Sequence, residues 1–309
     1  MRFQERDARL LQVIYDNDGV LAKRHLKAMF WPGSSKRAME KRLSKLFKHG
    51  YLAWPTRKQR SIHPIPEPVC WLGWRGALLI AGQYGYQDEA PKEENENQLR
   101  LFQRRLQDHG IRWVREPRWS LLLHDLAVVD FKLSIKKSIQ QLSRYRLEKW
   151  LPDSEFRSDM DTVSVTVENR NGKTYKLKRG VCPDAYFEIM DEVLRIEGKP
   201  HKARFLMEMD MATHDNPSFG KYKALPGAAY VKSPAYKARF GSNHGVWLIV
   251  TSGGERRMKN LMSQTAQRVG NDARIFFFTT IELLENCNVL AAKVWHQVGE
   301  NEPRALLTT

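Results

Sequence analysis

The sequence predicts a two-part α+β protein, with an N-terminal winged helix-turn-helix followed by an α/β domain built on a mixed sheet. Three observations predict this fold class. The chain of 309 residues is long enough for about two domains. Three short helix patterns come first, and a stretch typical of a β-ribbon follows them. After about residue 160, alternating apolar patterns separated by helix patterns indicate strands that alternate with helices.

Basic residues are in excess and are concentrated at the N-terminus. The formal net charge is +16, and residues 1–75 contain sixteen Lys or Arg against six Asp or Glu, a net of +10. Such an excess indicates a polyanionic partner, with nucleic acid the first candidate and an anionic membrane surface the second. The alternative is a basic protein without such a partner. The uneven distribution favours a compact nucleic-acid module at the N-terminus.

Cysteine usage and hydropathy narrow the class of protein further. The three cysteines are more than a hundred residues apart, without the spacing of a zinc site or a disulfide framework. The N-terminus is charged from its second residue, and the longest apolar runs are too short to span a bilayer. We therefore expect a cytoplasmic protein with no membrane partner. No heptad pattern indicates an oligomer.

Three helices are predicted at the N-terminus, over residues 5–17, about 21–30 and about 35–49. The third has apolar residues at helical spacing on one face and a run of cations on the other. The usual role of such a run is a solvated helix face. The order of helix, helix, basic helix and basic hairpin instead favours contact with the major groove of double-stranded DNA. The expected contacts on this helix are Lys36, Arg37, Lys41, Arg42 and Lys45.

The stretch after the third helix resembles a β-ribbon with a basic tip, as in the wing of a winged helix. We expect Arg57, Lys58 and Arg60 at this tip to contact the DNA backbone. Residues 1–82 would form this module, and the polar, acidic run at 83–98 would be a linker. Residues 99–309 would then form the α/β domain.

The second domain is predicted to begin with helices and to continue with strands. Helices are expected over about 97–109 and along nearly the whole of residues 119–142, and Asn171-Gly172 is a strong hairpin signal. Strands are expected at about 184–190 and 203–211, joined by a loop. The remaining predictions are helical pieces over 218–239, a strand at "GVWLIVTS", a basic helix, a strand at "ARIFFFTT", a short helix and a last strand at "NVLAAKVWH".

Two carboxylates occupy the otherwise apolar strand "FLMEMDMAT". Strand alternation places Glu208 and Asp210 on one face, and antiparallel pairing with the preceding strand would bring Asp184 beside the end at Asp210. Three carboxylates at one edge would suit a hard divalent cation, Mg²⁺ or Mn²⁺, which activates water and stabilises charge on a scissile phosphate. The alternative is that these carboxylates pair with some of the many Lys and Arg residues.

The segments "PDAYFEI", "FLMEMDMAT", "KYKALPGAAY" and "GVWLIVTS", with the earlier helix "HDLAVVDFKLSI", resemble the replication-relaxation family of bacterial plasmids and mobile elements. The resemblance covers about residues 5–300. It implies a winged helix followed by a restriction-endonuclease-like fold, similar to PD-(D/E)xK nucleases. Asp184 matches the PD aspartate and Glu208 the first acid of the (D/E)xK strand, so both become candidate catalytic and metal-binding residues.

This sequence departs from the nuclease pattern at Asp210, which stands where a lysine is expected. That lysine stabilises negative charge during phosphodiester attack. Two alternatives remain open. Lys221 or Lys223 from the following helix supplies the charge, or the site has lost catalysis and kept only the fold.

The resulting hypothesis is a DNA-binding protein that acts in the replication, relaxation or transfer of a plasmid or mobile element. A metal-dependent nicking or cleavage activity would accompany DNA binding if the carboxylate site is complete. Two other functions compete with this one. The first is a non-catalytic DNA-binding regulator, and the second is a nuclease-fold assembly subunit that recruits a relaxase, a transposase or a replication protein.

Overall fold

The structure is a computed structural model that describes residues 1–63, 65–168, 172–213 and 215–307. The chain forms two compact units, residues 1–130 and residues 131–309. Both contain helices and strands, and the larger sheet is mixed, so the predicted α+β class is confirmed. Among the helices of the described part, none is long and apolar enough to cross a membrane.

In its described residues, the first unit contains six complete α-helices, the first part of a seventh and three short strands. The helices are α1 Glu5–Asp16, α2 Lys23–Phe30, α3 Lys36–Lys48, α4 Arg57–Ile62, α5 Trp74–Gln83, α6 Glu96–Asp108 and α7 Leu122–Gln140. The strands are β1 Val20–Ala22, β2 Leu52–Ala53 and β3 Val69–Leu72. They form an antiparallel sheet in the order β1-β3-β2. The succession from α1 through β1, α2, α3 and β2 to β3 is typical of a winged helix.

The three predicted N-terminal helices are confirmed, whereas the predicted continuous ribbon is wrong. Arg57, Lys58 and Arg60 lie in α4 rather than at a hairpin tip, and α5 follows β3 directly. Thr56 explains why a helix starts here: its hydroxyl accepts the N–H of Gln59 at 3.2 Å, and the Gln59 side chain accepts the N–H of Thr56 at 2.8 Å. This reciprocal capping box stabilises the first turn of α4.

The expected linker at 83–98 does not coincide with the division between the two units, which falls within α7. The expected linker contains the end of α5 and the start of α6. Helix α6 belongs to the first unit because the ring of Phe102 packs on that of Trp113, with 5.3 Å between the ring centres. The indole N–H of Trp113 in turn donates to the carbonyl of Leu72 in β3 at 3.0 Å.

The second unit begins within α7 and contains the larger sheet. Its further helices are α8 Asp153–Ser158, α9 Glu192–Ile196, α10 Asn216–Phe219, α11 Leu225–Val231, α12 Pro234–Phe240, α13 Gly254–Val269 and α14 Ile281–Leu284. A π-helical turn, Gly220–Ala224, joins α10 to α11. The strands are β4 Tyr145–Pro152, β5 Thr162–Glu168, β6 Thr174–Gly180, β7 Ala185–Asp191, β8 Lys202–Asp210, β9 Val246–Thr251, β10 Phe276–Thr280 and β11 His296–Gln297.

Six of these strands form one sheet, in the order β11-β10-β9-β8-β7-β4. Strands β8, β9 and β10 are parallel to one another, and β7 runs antiparallel to β8. The predicted strands at 184–190, 203–211, "GVWLIVTS" and "ARIFFFTT" are thereby confirmed, as is the helix between the last two. The predicted hairpin forms as the separate pair β5–β6. Its expected turn residue Asn171 lies outside the described residues.

Several elements of the second unit differ from the expectation, among them α8, which was not predicted. Strand β4 was not predicted, because it is an edge strand with charged residues that weaken the apolar alternation. Helix α9 lies in the expected loop, where the Asp191 carboxylate accepts the N–H groups of Val193 and Leu194 as an N-cap. The last predicted strand is reduced to β11, because the side chain of Asn288 accepts the N–H groups of the next residues and forms a turn.

The sheet of the second unit is covered on both faces. One face packs Tyr186 and Leu206 against the helices α11, α12 and α13. On the other face, Phe131 of α7 packs edge-on against Phe187, which stacks on Phe205. Glu208 and Asp210 continue the alternation of Leu206 and therefore lie on the face of the crossover helices.

Candidate functional site

Helix α3 presents a basic face to solvent. The helix begins at Ser35, whose hydroxyl accepts the N–H of Ala38 at 3.3 Å, and it buries Met39, Leu43 and Leu46. The cations of the opposite side are exposed, and within the described residues none of them forms an ion pair with an acid. These cations are Lys36, Arg37, Lys41 and Lys45. Because their charge is not neutralised, it is available to a polyanion.

Arg42 has a different role from its neighbours, although it was predicted to contact DNA with them. Its side chain is only 12% exposed and forms a two-point ion pair with Asp7 of α1, which is 1% exposed. One of the two contacts joins Nε of Arg42 to Oδ1 of Asp7 at 2.8 Å, and the other joins the second nitrogen to Oδ2. The hydrogen bond to Asp7 raises the pKa of Arg42. Arg42 therefore holds α3 against α1.

Helix α4 adds three exposed cations, Arg57, Lys58 and Arg60. The segment that leads into α4 is fixed to the end of α3, because the rings of Phe47 and Trp54 stack at 3.8 Å. We call these three cations and the four of α3 the basic face of the first unit.

In the second unit, the strand register brings two of the predicted carboxylates together. Ala185 of β7 is opposite Met207 of β8, so Asp184 is next to Glu208 rather than beside Asp210 as expected. The Asp184 carboxylate accepts the N–H of Met209 at 2.8 Å. Backbone pairing and this hydrogen bond hold Asp184 at the start of β7.

Lys223 completes this pair of carboxylates. Its ammonium lies 2.6 Å from Oε1 of Glu208, and its side chain remains 46% exposed. Burial lowers the pKa of Lys223, but the negative charges of Glu208 and then Asp184 outweigh this effect and raise it, so the ammonium form is favoured. Lys223 belongs to the π-helical turn, a local irregularity that is frequent at functional sites. We call Asp184, Glu208 and Lys223 the carboxylate–lysine site.

Asp210 lies outside the carboxylate–lysine site. Its two oxygens accept from Nε and the terminal nitrogen of Arg257 in α13, at 3.0 and 2.9 Å. The hydroxyl of Thr251 donates to the same carboxylate at 2.6 Å. Gly253 permits this approach, since a Cβ there would come within 2.7 Å of the Arg257 Cβ. Asp210 therefore fastens α13 to the sheet, as the alternative of pairing with Lys or Arg anticipated.

The expected convergence of three carboxylates is therefore corrected. Throughout the described ranges, no three His, Cys, Asp or Glu side chains are placed to share a metal ion. The reason is that Arg257, far along the chain from Asp210, occupies both oxygens of that carboxylate. A single sequence gives no signal for this pairing.

Lys221, the other predicted source of charge, is directed elsewhere. Its ammonium lies 5.6 Å from the ring centre of Tyr175 in β6 and 4.9 Å from that of Tyr222. Hydrogen bonding to Tyr175 and then to Tyr222 raises the pKa of Lys221. Of the two lysines considered from the sequence, Lys223 is the one next to the carboxylates.

Of two comparisons with known proteins, one identifies a family. A search of curated proteins finds no match. Residues 11–239 match the family described as replication-relaxation, which is about three quarters of the chain and includes the basic face and the carboxylate–lysine site. The resemblance found in the sequence motifs is thereby confirmed, and it indicates a role in the replication or relaxation of plasmid or mobile-element DNA. The chain belongs to the replication-relaxation family.

Proposed function

We propose that this chain binds double-stranded DNA through the basic face of its first unit, in the replication, relaxation or transfer of a plasmid or mobile element. The observation that carries the proposal is the separation of charges on α3. Its acid-paired arginine is only 12% exposed, while Lys36, Arg37, Lys41 and Lys45 remain exposed and without an acid partner in the described residues. Such cations bind the phosphate groups of DNA, and this binding releases the counterions that are condensed on the DNA.

The position of α3 in its unit supports a role in groove contact. It is the third helix of a unit with the element order of a winged helix, in which the corresponding helix lies in the major groove. The cations Arg57, Lys58 and Arg60 are on α4, between the strands β2 and β3, where a wing would lie. We assign them contacts with the DNA backbone, which position a protein without reading sequence.

The test is the binding of a fluorescent duplex of about thirty base pairs, followed by anisotropy over a range of salt concentrations. Reversal of Arg37 and Lys41 to Glu should weaken binding at least tenfold and lower the slope of log affinity against log salt by about 1.8. The matched control reverses Arg9 and Arg104, which are also exposed and unpaired among the described residues. Equal affinities for the two double variants would move the interface away from α3.

A second candidate function is metal-dependent cleavage of a phosphodiester bond, and one specific observation favours it. Lys223 from the π-helical turn lies next to the pair Asp184 and Glu208, so all three charges of a PD-(D/E)xK-type site are adjacent. The lysine expected at position 210 is absent from the strand, and Lys223 supplies the equivalent charge from a different element.

The donor chemistry of this site fits a hard divalent cation. Asp184 and Glu208 offer carboxylate oxygens, and Mg²⁺ is commonly held by one or two carboxylates together with substrate phosphates. When bound, Mg²⁺ or Mn²⁺ would lower the pKa of a water molecule and polarise the phosphate. Asp184 and Glu208 would hold the ion. The ammonium of Lys223 would stabilise negative charge on the phosphate oxygens.

Incubation of supercoiled plasmid with the protein, with Mg²⁺, Mn²⁺ or EDTA, tests this second candidate. Nicking should require the metal and should fall at least a hundredfold in Asp184→Asn, Glu208→Gln and Lys223→Met. Lys237→Met, an exposed lysine on α12, is the control and should nick normally. Nicking that persists in the Lys223 variant would exclude Lys223 from the reaction.

Absence of nicking by a protein that still binds duplex DNA would support the two non-catalytic functions. A regulator would occupy its site alone. An assembly subunit would instead co-purify with a relaxase, a transposase or a replication protein.

A further inference from the structure

A second basic surface lies on the β5–β6 hairpin of the second unit, separate from the basic face of the first. The strands pair from Thr162 opposite Gly180 to Glu168 opposite Thr174. We define the hairpin surface by the residues of β6 and the π-helical turn that form it. These are Tyr175, Lys176, Lys178, Arg179, Lys221 and Tyr222.

The two faces of the hairpin differ in character. Val165 and Leu177, paired across the strands, face the core of the unit. The opposite face carries Lys176 and Lys178 next to Thr166 and Ser164, and all four of these side chains are exposed. A flat strand pair with lysines beside hydroxyl groups can contact several successive phosphates of a nucleic acid.

At the margin of the core-facing side, cations lie against aromatic rings. Arg179 is 5.0 Å from the ring centre of Tyr222, and Lys221 contacts both this ring and that of Tyr175. Such contacts fix a cation without neutralising it, in contrast to a salt bridge. Within the described residues, none of the four cations of the hairpin surface forms an ion pair. The charge of all four is therefore retained, and the rings hold Arg179 and Lys221 in place.

We propose that the hairpin surface binds single-stranded DNA. Its charge suits a phosphate backbone, and its exposed tyrosine suits unpaired bases. Tyr175 lies on the other face of β6 from Lys176 and Lys178. It lies beside Lys221 and is 40% exposed, so part of its ring is open to solvent. In the described residues, strand β6 pairs on one side only, with β5, so a single strand along its open edge can reach the side chains of both faces. Stacking of bases on aromatic side chains next to a basic track is the usual mode by which proteins bind single strands without sequence preference.

The hairpin surface is continuous with the carboxylate–lysine site through the π-helical turn. Lys221 and Tyr222 of the surface directly precede Lys223 of that site. A single strand bound at Tyr175 and Lys221 would therefore contact the same turn that carries Lys223. This inference rests on the proposed function in DNA replication or relaxation, in which unpaired strands arise, and it names the substrate class of the second unit.

The experiment compares two ligands and two sets of variants of the full chain. A labelled single strand of about twenty thymidines and a duplex of about thirty base pairs are titrated by anisotropy. Lys176→Glu with Lys178→Glu should weaken single-strand binding at least tenfold. Replacement of these two lysines should also lower the salt slope for the single strand by about 1.4. Tyr175→Leu should weaken single-strand binding about fivefold or more.

The matched control reverses Lys149 and Lys293, which are exposed and have no ion pair in the described ranges. Equal single-strand affinities of the hairpin variant and this control would overturn the proposal. An equal loss of duplex and single-strand affinity would overturn the assignment to single strands. Thermal melts check folding, and if the reversal lowers the melting temperature, Lys176→Gln with Lys178→Gln replaces it under the same criteria.

The variant Arg37→Glu with Lys41→Glu separates this inference from the proposed function. It should lose duplex binding and keep single-strand binding. Unchanged duplex affinity in that variant would contradict the role of α3 and leave the hairpin result to be judged on its own titration.

Discussion

The charged residues of α3 in the first unit and of β8 in the second differ in whether they form ion pairs. On α3, the cations of the basic face are exposed with no acid partner among the described residues, whereas Arg42 is paired with Asp7. On β8, both carboxylates are paired, Glu208 with Lys223 and Asp210 with Arg257. An exposed charge is stable in water, whereas a buried charge needs a partner.

The two ion pairs of strand β8 also differ from each other in exposure. Arg257 is 12% exposed and binds Asp210 at two points, so this pair is buried and structural. Lys223 is much more exposed, and its ammonium lies 2.6 Å from one oxygen of Glu208. A partner that is exposed and held at one point can exchange its contact for a phosphate or a metal-bound ligand. The first pair therefore serves stability, and the second is the one available for the proposed chemistry.

The largest effect on stability is expected from the pair of Asp210 and Arg257. Arg257→Met should lower the free energy of unfolding by about 3–5 kcal/mol, because it leaves a buried carboxylate without its cation. Urea denaturation measures this loss. Glu208 is also buried, but Lys223 is 46% exposed, so its removal opens the site to water that can solvate the carboxylate. Lys223→Met should therefore lose less, about 1 kcal/mol. Similar losses for the two variants would remove the distinction between the two pairs.

The next largest effect on stability is expected at Arg42 of α3, in contrast to its neighbour Lys41. Arg42→Met should lower the free energy of unfolding by about 3 kcal/mol, because Asp7 is buried and loses its ion pair. Lys41→Met should change stability by less than about 0.5 kcal/mol and should weaken duplex binding instead. Urea denaturation and DNA titration of both variants separate the two roles. A stable Arg42 variant that lost DNA binding would restore Arg42 to the interface.

Local features of the molecule could be predicted from the sequence, and the ion pairs of Asp210 and Arg42 could not. Helix periods, the strands that carry Asp184 and Glu208, and the basic face of α3 followed from local patterns, whereas the register that brings Asp184 next to Glu208 did not. Partners distant in the chain did not, since the pairing of Arg42 with Asp7 and of Asp210 with Arg257 depends on tertiary packing. Lys223 was one of two candidates, and the choice depended on a π-helical turn that shifts the direction of the side chain. Local patterns give no signal for such a turn.

A smaller effect, dependent on pH, is expected at Asp130 in the first unit. Burial raises the pKa of Asp130, but hydrogen bonds from Arg24 and His25 outweigh this effect and lower it below its usual value. A carboxyl group with a lowered pKa stabilises the fold above its unfolded pKa, near about 4, and loses this contribution as the pH falls through the folded value. Arg24 and Asp130 are nearly half exposed, so the contribution should be about 1 kcal/mol or less.

Urea denaturation of the native protein and of Asp130→Asn at several pH values measures this contribution. The native protein should be the more stable of the two near neutral pH, and the difference should shrink below about pH 4. A difference that stayed constant down to pH 2 would show that the ionisation of Asp130 is not its cause. This network uses exposed arginine in a pair, in contrast to the unpaired cations of α3.

The smallest effect is expected from α4, whose cations lie outside the packed core. Arg57→Gln with Lys58→Gln should leave the free energy of unfolding within about 0.5 kcal/mol of the native value, because both side chains are exposed. The salt slope of duplex binding should fall by about 1.8, and the loss of affinity should be similar for every DNA sequence, because backbone contacts carry no sequence information. Titrations with two unrelated duplexes at three salt concentrations measure both quantities. A loss confined to one duplex would place α4 at the bases instead of the backbone, and an unchanged slope would restrict the interface to α3.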